Sequence, residues 1–201
     1  DMGLGKTVQA IAAAELMARH FGVQRVLVVC PTSLKHQWQN EWRRFTGREP
    51  RIVGGLRAQR QGQFTQNDFC KITNYDTLAR DLDAIAEWAP ELLIVDEAQR
   101  VKNWATQAAG ALRRIDAPHA IVLTGTPMQN RLDELIAIVQ LVDQYRLGPT
   151  WRMRHEHQTY DEAGRVIGYR DLDRIGRTLG PIMLRRRKSE VLTQLPERID
   201  E

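Results

Sequence analysis

Three short runs in the chain are apolar at every position: Val26 to Cys30, Leu92 to Val95 and Ala120 to Leu123. A run of four or five such residues predicts a strand covered on both faces, because alternation would have left one face polar. Each run stops at polar or turn-forming residues: Pro31, then Asp96-Glu97, then Thr124-Gly125-Thr126-Pro127. A weaker strand is predicted over 68–73. Helical spacing fills the intervals: Thr7 to Ala18, Leu34 to Phe45 and Leu132 to Val142. Trp38 and Trp42 fall on one face of the second helix and read as core packing rather than a platform for stacked bases. The alternation predicts an α/β fold, a parallel sheet with helices on both faces.

From about Leu147 the pattern changes. Gly148-Pro149, a polar stretch from His155 to Gln158, a turn over Asp161 to Gly164, an Arg-rich helical stretch and two prolines, Pro181 and Pro196, follow in turn. This tail reads as a C-terminal helical insertion and a return segment. It divides the chain into a sheet domain, 1–146, and an appendage, 147–201.

Composition narrows the classes only a little. Hydrophobic residues make up 42% and charged residues 27%, enough for a packed core. The net charge of +4 permits a polyanionic partner without requiring one. The run Arg185 to Lys188 is, on composition alone, more often a solvated face than a nucleic-acid contact. Cys30 and Cys70 have no CxxC spacing and read as two reduced thiols, which favours a cytoplasmic setting. His155 and His157 have no cysteine beside them and make a poor zinc pair. No stretch reaches the roughly 18 apolar residues of a membrane span.

The chemistry-bearing residues sit where the strands end, and ligands of open α/β sheets gather at the C-terminal ends of strands. Gly3-Leu4-Gly5-Lys6-Thr7 leads directly into a helix. Such a turn exposes backbone N–H groups to a phosphate, Lys6 reaches toward the β and γ positions, and the Thr7 hydroxyl suits Mg²⁺. Alone, it also fits a plain helix start carrying a lysine. Asp96-Glu97 after a buried strand suits a metal-holding carboxylate beside a water-activating one, or a helix cap followed by a first-turn acid. The two groups together favour the phosphate reading. Thr124-Gly125-Thr126 is a turn or cap by itself and gains meaning only from its place after the third strand.

In order along the chain, these residues resemble the motifs of SNF2-type helicase-like ATPases. Met2 to Gln9 looks like motif I. Cys30-Pro31-Thr32-Ser33-Leu34 with Gln37-Trp38 looks like motif Ia, and Ile72-Thr73-Asn74-Tyr75 like motif Ib. Asp96-Glu97-Ala98-Gln99 extended to Lys102-Asn103 looks like motif II, and Leu123 to Asn130 like motif III. The tail from Met183 to Lys188, with Leu195-Pro196, is similar to the segment that closes the first lobe. The Lys102-Asn103 and Met128-Gln129-Asn130 extensions favour this family over DEAD-box RNA helicases. The sequence from Arg131 to Leu135 and the His-Glu-His stretch are similar to bacterial members.

The resemblance implies a RecA-like, P-loop lobe of a two-lobed motor that hydrolyses ATP with Mg²⁺ and steps along double-stranded DNA in the nucleoid. Gly3, Leu4, Gly5, Lys6 and Thr7 would hold the triphosphate. Thr7 and Asp96 would hold Mg²⁺, and Glu97 would activate water. Gln99, Thr124 and Thr126 would couple the ATP site to DNA. Pro31, Thr32, Ser33, Thr73 and Asn74 would lie along the DNA backbone, where contacts fix position without reading sequence. The motif I pattern begins one residue ahead of Asp1, and the strand that feeds it and an adenine-contacting segment are expected upstream. The second RecA-like lobe would bring an arginine finger, so residues 1–201 alone are expected to turn over little or no ATP. Other readings are a strand-separating RNA or DNA helicase lobe, and a catalytically silent DNA-docking module.

Overall fold

Buried, parallel strands organise the larger part of the molecule. The computed structural model describes residues 4–101, 107–125 and 132–186. The chain forms two compact units, one over Gly5–Gly148 and one that takes in Pro149–Glu201.

In the first unit, β1 (Val26–Cys30), β2 (Arg51–Ile52), β3 (Cys70–Asn74), β4 (Leu92–Val95) and β5 (His119–Val122) form one sheet in the order β2-β3-β1-β4-β5. Every pairing is parallel, and β1 lies between β3 and β4 with Val29 opposite Thr73 and Val95. All five residues of β1 and all four of β4 are buried. A strand inside a parallel sheet has no face to give to water, which accounts for the unbroken apolar runs.

Helices cover both faces, as the sequence predicts. Alternate residues of β1 separate the two cores. Val26, Val28 and Cys30 pack with Ala10, Ile11 and Ala14 of α1 (Lys6–Phe21) and with Trp38 and Trp42 of α2 (Lys35–Thr46). Leu27 and Val29 point the other way, toward Phe64 of α3 (Arg57–Phe64), Leu78 of α4 (Tyr75–Leu78) and Ile85 and Trp88 of α5 (Leu82–Trp88). Ala109 and Leu112 of α6 (Gln107–Leu112) and Ile138 of α7 (Leu132–Val139) complete that side. The period of two along a strand is what divides one sequence between two layers.

Two charged clusters are buried with their partners. Arg60 of α3 meets Asp81 through two bonds, Nε to Oδ2 at 2.7 Å and Nη2 to Oδ1 at 2.8 Å, and also donates to the Gly55 carbonyl at 2.8 Å. Lys71 is the second residue of β3 and has no exposure. Its Nζ donates to the Gln66 carbonyl and to Asp68, each at 2.7 Å, and lies 4.8 Å from the centre of the Trp88 ring. Desolvation makes a buried ammonium or guanidinium costly unless acceptors surround it, and here they do.

The second unit departs from the expected helical insertion. It contains α8 (Thr150–His157), an antiparallel hairpin of β6 (Gln158–Tyr160) and β7 (Val166–Tyr169), and α9 (Leu172–Leu179). The predicted turn over 161–164 is the hairpin turn, in which Asp161 Oδ1 accepts from the N–H groups of Ala163 at 3.0 Å and Arg165 at 2.7 Å. Arg170 ties the hairpin to α8 by donating to the carbonyls of His155 and Glu156, both at 2.7 Å. His157 is buried, its Nδ1 3.0 Å from the Arg170 carbonyl. Arg185 and Arg186 are exposed, whereas Arg187, Lys188, Leu195 and Pro196 lie outside the described residues. Among the described residues no helix is long and apolar enough to cross a membrane.

Removing one member of the buried Arg60–Asp81 pair strands the other charge. Asp81→Ala is expected to lower the unfolding free energy by about 3–5 kcal/mol, read as a fall in the urea midpoint. An unchanged midpoint would show that the pair contributes nothing to the fold.

Candidate active site

β1, β3, β4 and β5 run parallel, so their C-terminal ends lie along one edge of the sheet. The residues following them form the site. The N–H of Asp96 donates to the Val29 carbonyl at 2.9 Å, and that of Leu123 to the Val95 carbonyl at 2.8 Å. The strand ladder thus extends one residue past each strand end and fixes where the motif II and motif III residues begin.

Asp96 is 6% exposed. Its Oδ2 accepts the indole N–H of Trp38 at 2.8 Å, and its Oδ1 accepts the backbone N–H of Glu97 at 2.8 Å. The Tyr75 hydroxyl donates to the Asp96 carbonyl at 2.5 Å. Burial raises the Asp96 carboxyl above the usual carboxylate range, and the charge of Glu97 adds to this. The Trp38 and Glu97 N–H donors and the charge of Lys6 act in the opposite direction.

Glu97 occupies the left-handed region at φ 54°, uncommon for a residue with a side chain and a feature that gathers at functional sites. Its carboxylate accepts from the Gln99 amide, and the Thr124 hydroxyl donates to Gln99 Oε1 at 2.9 Å. Ala98 N–H donates to the Leu123 carbonyl at 3.0 Å. Glu97, Gln99 and Thr124 therefore form one polar chain between the ends of β4 and β5. Thr126, Lys102, Asn103 and Met128 to Asn130 lie outside the described residues.

Gly5 precedes α1 at φ 70° and ψ 30°, the left-handed conformation that glycine adopts without cost. No side chain caps the helix there, and its first turn holds no acidic residue. The N-terminus of this 16-residue helix carries the positive end of its dipole, which favours an anion there. Leu4, Lys6 and Thr7 are half-buried, and Gly3 lies outside the described residues.

Of the five residues expected on the DNA side, Thr32 and Ser33 are exposed, in the short 3₁₀ turn between β1 and α2. Pro31 is buried, and Thr73 is fully buried with its hydroxyl 3.4 Å from that of Thr77. Asn74 is 7% exposed. Its Oδ1 caps α4 by accepting from Thr77 N–H at 3.2 Å, while its Nδ2 donates to the Thr32 hydroxyl at 2.8 Å. Within this set the hydroxyls open to solvent are those of Thr32 and Ser33. Thr73 and Asn74 support them from beneath. Asp76, which accepts from Thr32 at 3.1 Å, is a neighbour that the motif pattern did not single out.

A hydroxyl and a carboxylate are hard oxygen donors that suit Mg²⁺, which is bound through few protein groups together with phosphate and water. Among the described residues no cluster of three or more His, Cys, Asp or Glu side chains could hold a metal by itself. Thr7 and Asp96 fit the shared kind of site.

A family model of the SNF2-related domain matches residues 1–201. This chain belongs to that family. The SNF2-related domain is 33% identical over 217 residues to Helicase ssl-1 of Caenorhabditis elegans, covering 100% of this chain and 9% of that protein. It is 30% identical over 218 residues to the mouse DNA repair and recombination protein RAD54B, covering 100% of this chain and 25% of that protein. The solved Sulfolobus solfataricus SWI2/SNF2 ATPase core in complex with dsDNA superimposes with a TM-score of 0.80 at 27% identity, covering 98% of this chain and 41% of the other. The SNF2-related domain thus has the RecA-like fold of that core, and it spans a quarter or less of these two relatives.

Cys30, at the end of β1, is buried without a disulfide, as is Cys70. Burial pushes the Cys30 thiol up to about 12, with Asp96 adding to the rise and Lys35 opposing it, and burial raises Cys70 well above its ordinary value. A raised pKa leaves almost no thiolate at pH 8, and the thiolate is the reactive form. Both cysteines are expected to resist a thiol-specific chromogenic reagent at pH 8 until urea unfolds the chain. Rapid reaction of either in the native protein would contradict the packing around β1 and β3.

Proposed function

We propose that this chain is the N-terminal motor lobe of an ATP-dependent translocase that moves on double-stranded DNA in the cytoplasm, at the nucleoid. The observation that carries the reading is the joined placement of Asp96, Glu97, Gln99 and Thr124 at adjacent strand ends. Support for a duplex partner comes from the similarity to an ATPase core solved with dsDNA.

In this reading the first-turn N–H groups of α1 hold the β and γ phosphates, and the positive φ of Gly5 lets the backbone turn toward them. Lys6 neutralises charge that develops on the transferred phosphoryl group. Thr7 and Asp96 are the residues that would hold Mg²⁺, which when bound would supply positive charge against the phosphates. Glu97 accepts a proton from the attacking water, and its left-handed backbone sets the direction of its carboxylate. Gln99 keeps that carboxylate bonded to Thr124, so displacement of the strand-end loops on binding DNA reorients Glu97 through this chain.

Thr32 and Ser33 offer exposed hydroxyls to DNA phosphates, a contact indifferent to base sequence. A motor that travels along any sequence requires that indifference. A second RecA-like lobe completes the cleft and supplies a cationic finger, worth about 10³–10⁵ in rate in phosphoryl-transfer enzymes. This chain alone then turns over little ATP.

The test is ATP hydrolysis by the full-length protein with no nucleic acid, single strands, duplex DNA or duplex RNA. Duplex DNA is expected to stimulate turnover, and Glu97→Gln is expected to lower it by about 10²–10⁴ while nucleotide binding persists. Stimulation by RNA alone would replace the reading with an RNA helicase lobe. No turnover under any condition would leave a DNA-docking module.

A further inference from the structure

Five tryptophans occur in the chain, and the buried ones differ in one respect. Trp38 and Trp42 lie on the same face of α2, 1% and 0% exposed, with ring centres 6.5 Å apart. Trp42 Nε1 is buried with no acceptor among the described residues, and so is Trp88 Nε1. Trp38 Nε1 meets the carboxylate of Asp96, 58 positions away in sequence. Packing explains all three rings, but it does not explain why only this indole N–H is aimed at a charged group.

We propose that Trp38 is a positioning residue for the metal-holding carboxylate: its N–H fixes the rotation of the Asp96 side chain and so sets the affinity of the site for the divalent cation. The proposal rests on the reading of Asp96 as a metal-holding residue. An indole N–H is a donor only, so Trp38 cannot itself be a ligand. It takes one lone pair of Oδ2, and Glu97 N–H takes one of Oδ1. Each oxygen keeps a further lone pair for the cation or a water of its shell.

The carboxylate could otherwise rotate about its Cβ–Cγ bond, a broad and nearly two-fold torsion. Two donors on opposite oxygens remove that freedom. The Asp96 backbone is held at the same time, by its N–H to Val29 and its carbonyl to Tyr75. The side chain is thus constrained at both ends by neutral groups. A cation in the position of Trp38 would instead compete with the metal for the carboxylate. An outer donor of this kind is typically worth about 10–100-fold in metal affinity.

The experiment uses the full-length protein with Mn²⁺ as the probe, titrated by electron paramagnetic resonance in the presence of a non-hydrolysable ATP analogue. Trp38→Phe keeps an aromatic ring and removes the N–H; Trp42→Phe removes an N–H that has no acceptor and serves as the packing control. Trp38→Phe is expected to weaken Mn²⁺ binding about 10–100-fold, with Trp42→Phe within about twofold of the parent protein. The divalent-cation requirement for ATP hydrolysis should rise in parallel, with turnover recovering substantially at saturating Mg²⁺.

If Trp38→Phe folds poorly, benzothienylalanine at position 38 keeps the bicyclic shape and lacks the N–H, and the same loss is expected. Equal Mn²⁺ affinity in the Trp38 and Trp42 variants overturns the positioning role. Asp96→Ala separates the two claims. If it abolishes binding while the position-38 variants do not alter it, only the role of Trp38 falls. If Asp96→Ala binds Mn²⁺ as the parent does, the metal reading of Asp96 falls and the proposal with it.

Discussion

A carboxylate taken out of water at the end of a strand costs several kcal/mol unless donors and positive charge surround it. Asp96 is such a group, and much of the larger unit is arranged around it. β1 supplies the carbonyl that fixes its N–H, α2 the indole that meets one oxygen, and the residue after β3 the hydroxyl that meets its carbonyl. Each of these partners comes from a different element, so the position of Asp96 depends on the packing of the whole sheet and its helix layer. Burial still raises its carboxyl. Folding therefore retains a carboxyl whose charged form burial disfavours, a cost of the kind that gathers at functional sites.

The same strand ends carry a second, looser set of contacts. Glu97, Gln99 and Thr124 form a chain that includes a left-handed residue, unlike the regular ladder beside it. Rigid strands hold Asp96, and short polar links hold Glu97. In the proposed motor that division would keep Asp96 fixed on the metal through the cycle and let Glu97 respond to bound DNA. Thr32 and Asn74, proposed for the DNA side, join the ends of β1 and β3 by a single hydrogen bond.

Much of this was legible in the sequence, for physical reasons that can be named. β1 and β4 are buried on both faces and so could hardly be written in other residues. β5 begins at His119, one residue earlier than its apolar run, because parallel pairing with Leu92 continues past the apolar stretch. β3 read weakly because Lys71 interrupts its apolar residues; the acceptors that permit a buried lysine, Gln66 and Asp68, are provided by the preceding loop. β2 has two residues and no readable period. The hairpin β6–β7 was hidden by its short, arginine-flanked strands, although its turn was visible. Glycine-lysine-threonine and aspartate-glutamate stood out because their chemistry is local. The role of Trp38 did not, because a tryptophan on an apolar face looks alike whether or not a distant carboxylate lies under its N–H. Thr73, expected from its motif along the DNA backbone, is buried, since motif spacing carries no information about depth.

The proposed motor role requires Asp96 and the first turn of α1 to serve one bound nucleotide. A crystal structure of the full-length protein with Mg²⁺ and a non-hydrolysable ATP analogue tests this most directly. Phosphates are expected against the N–H groups that follow Gly5, the cation on the Thr7 hydroxyl, and Asp96 reaching it directly or through one water while keeping its bond to Trp38. A nucleotide bound elsewhere, or a cation whose shell does not include Asp96 or a water held by it, would contradict the proposed role.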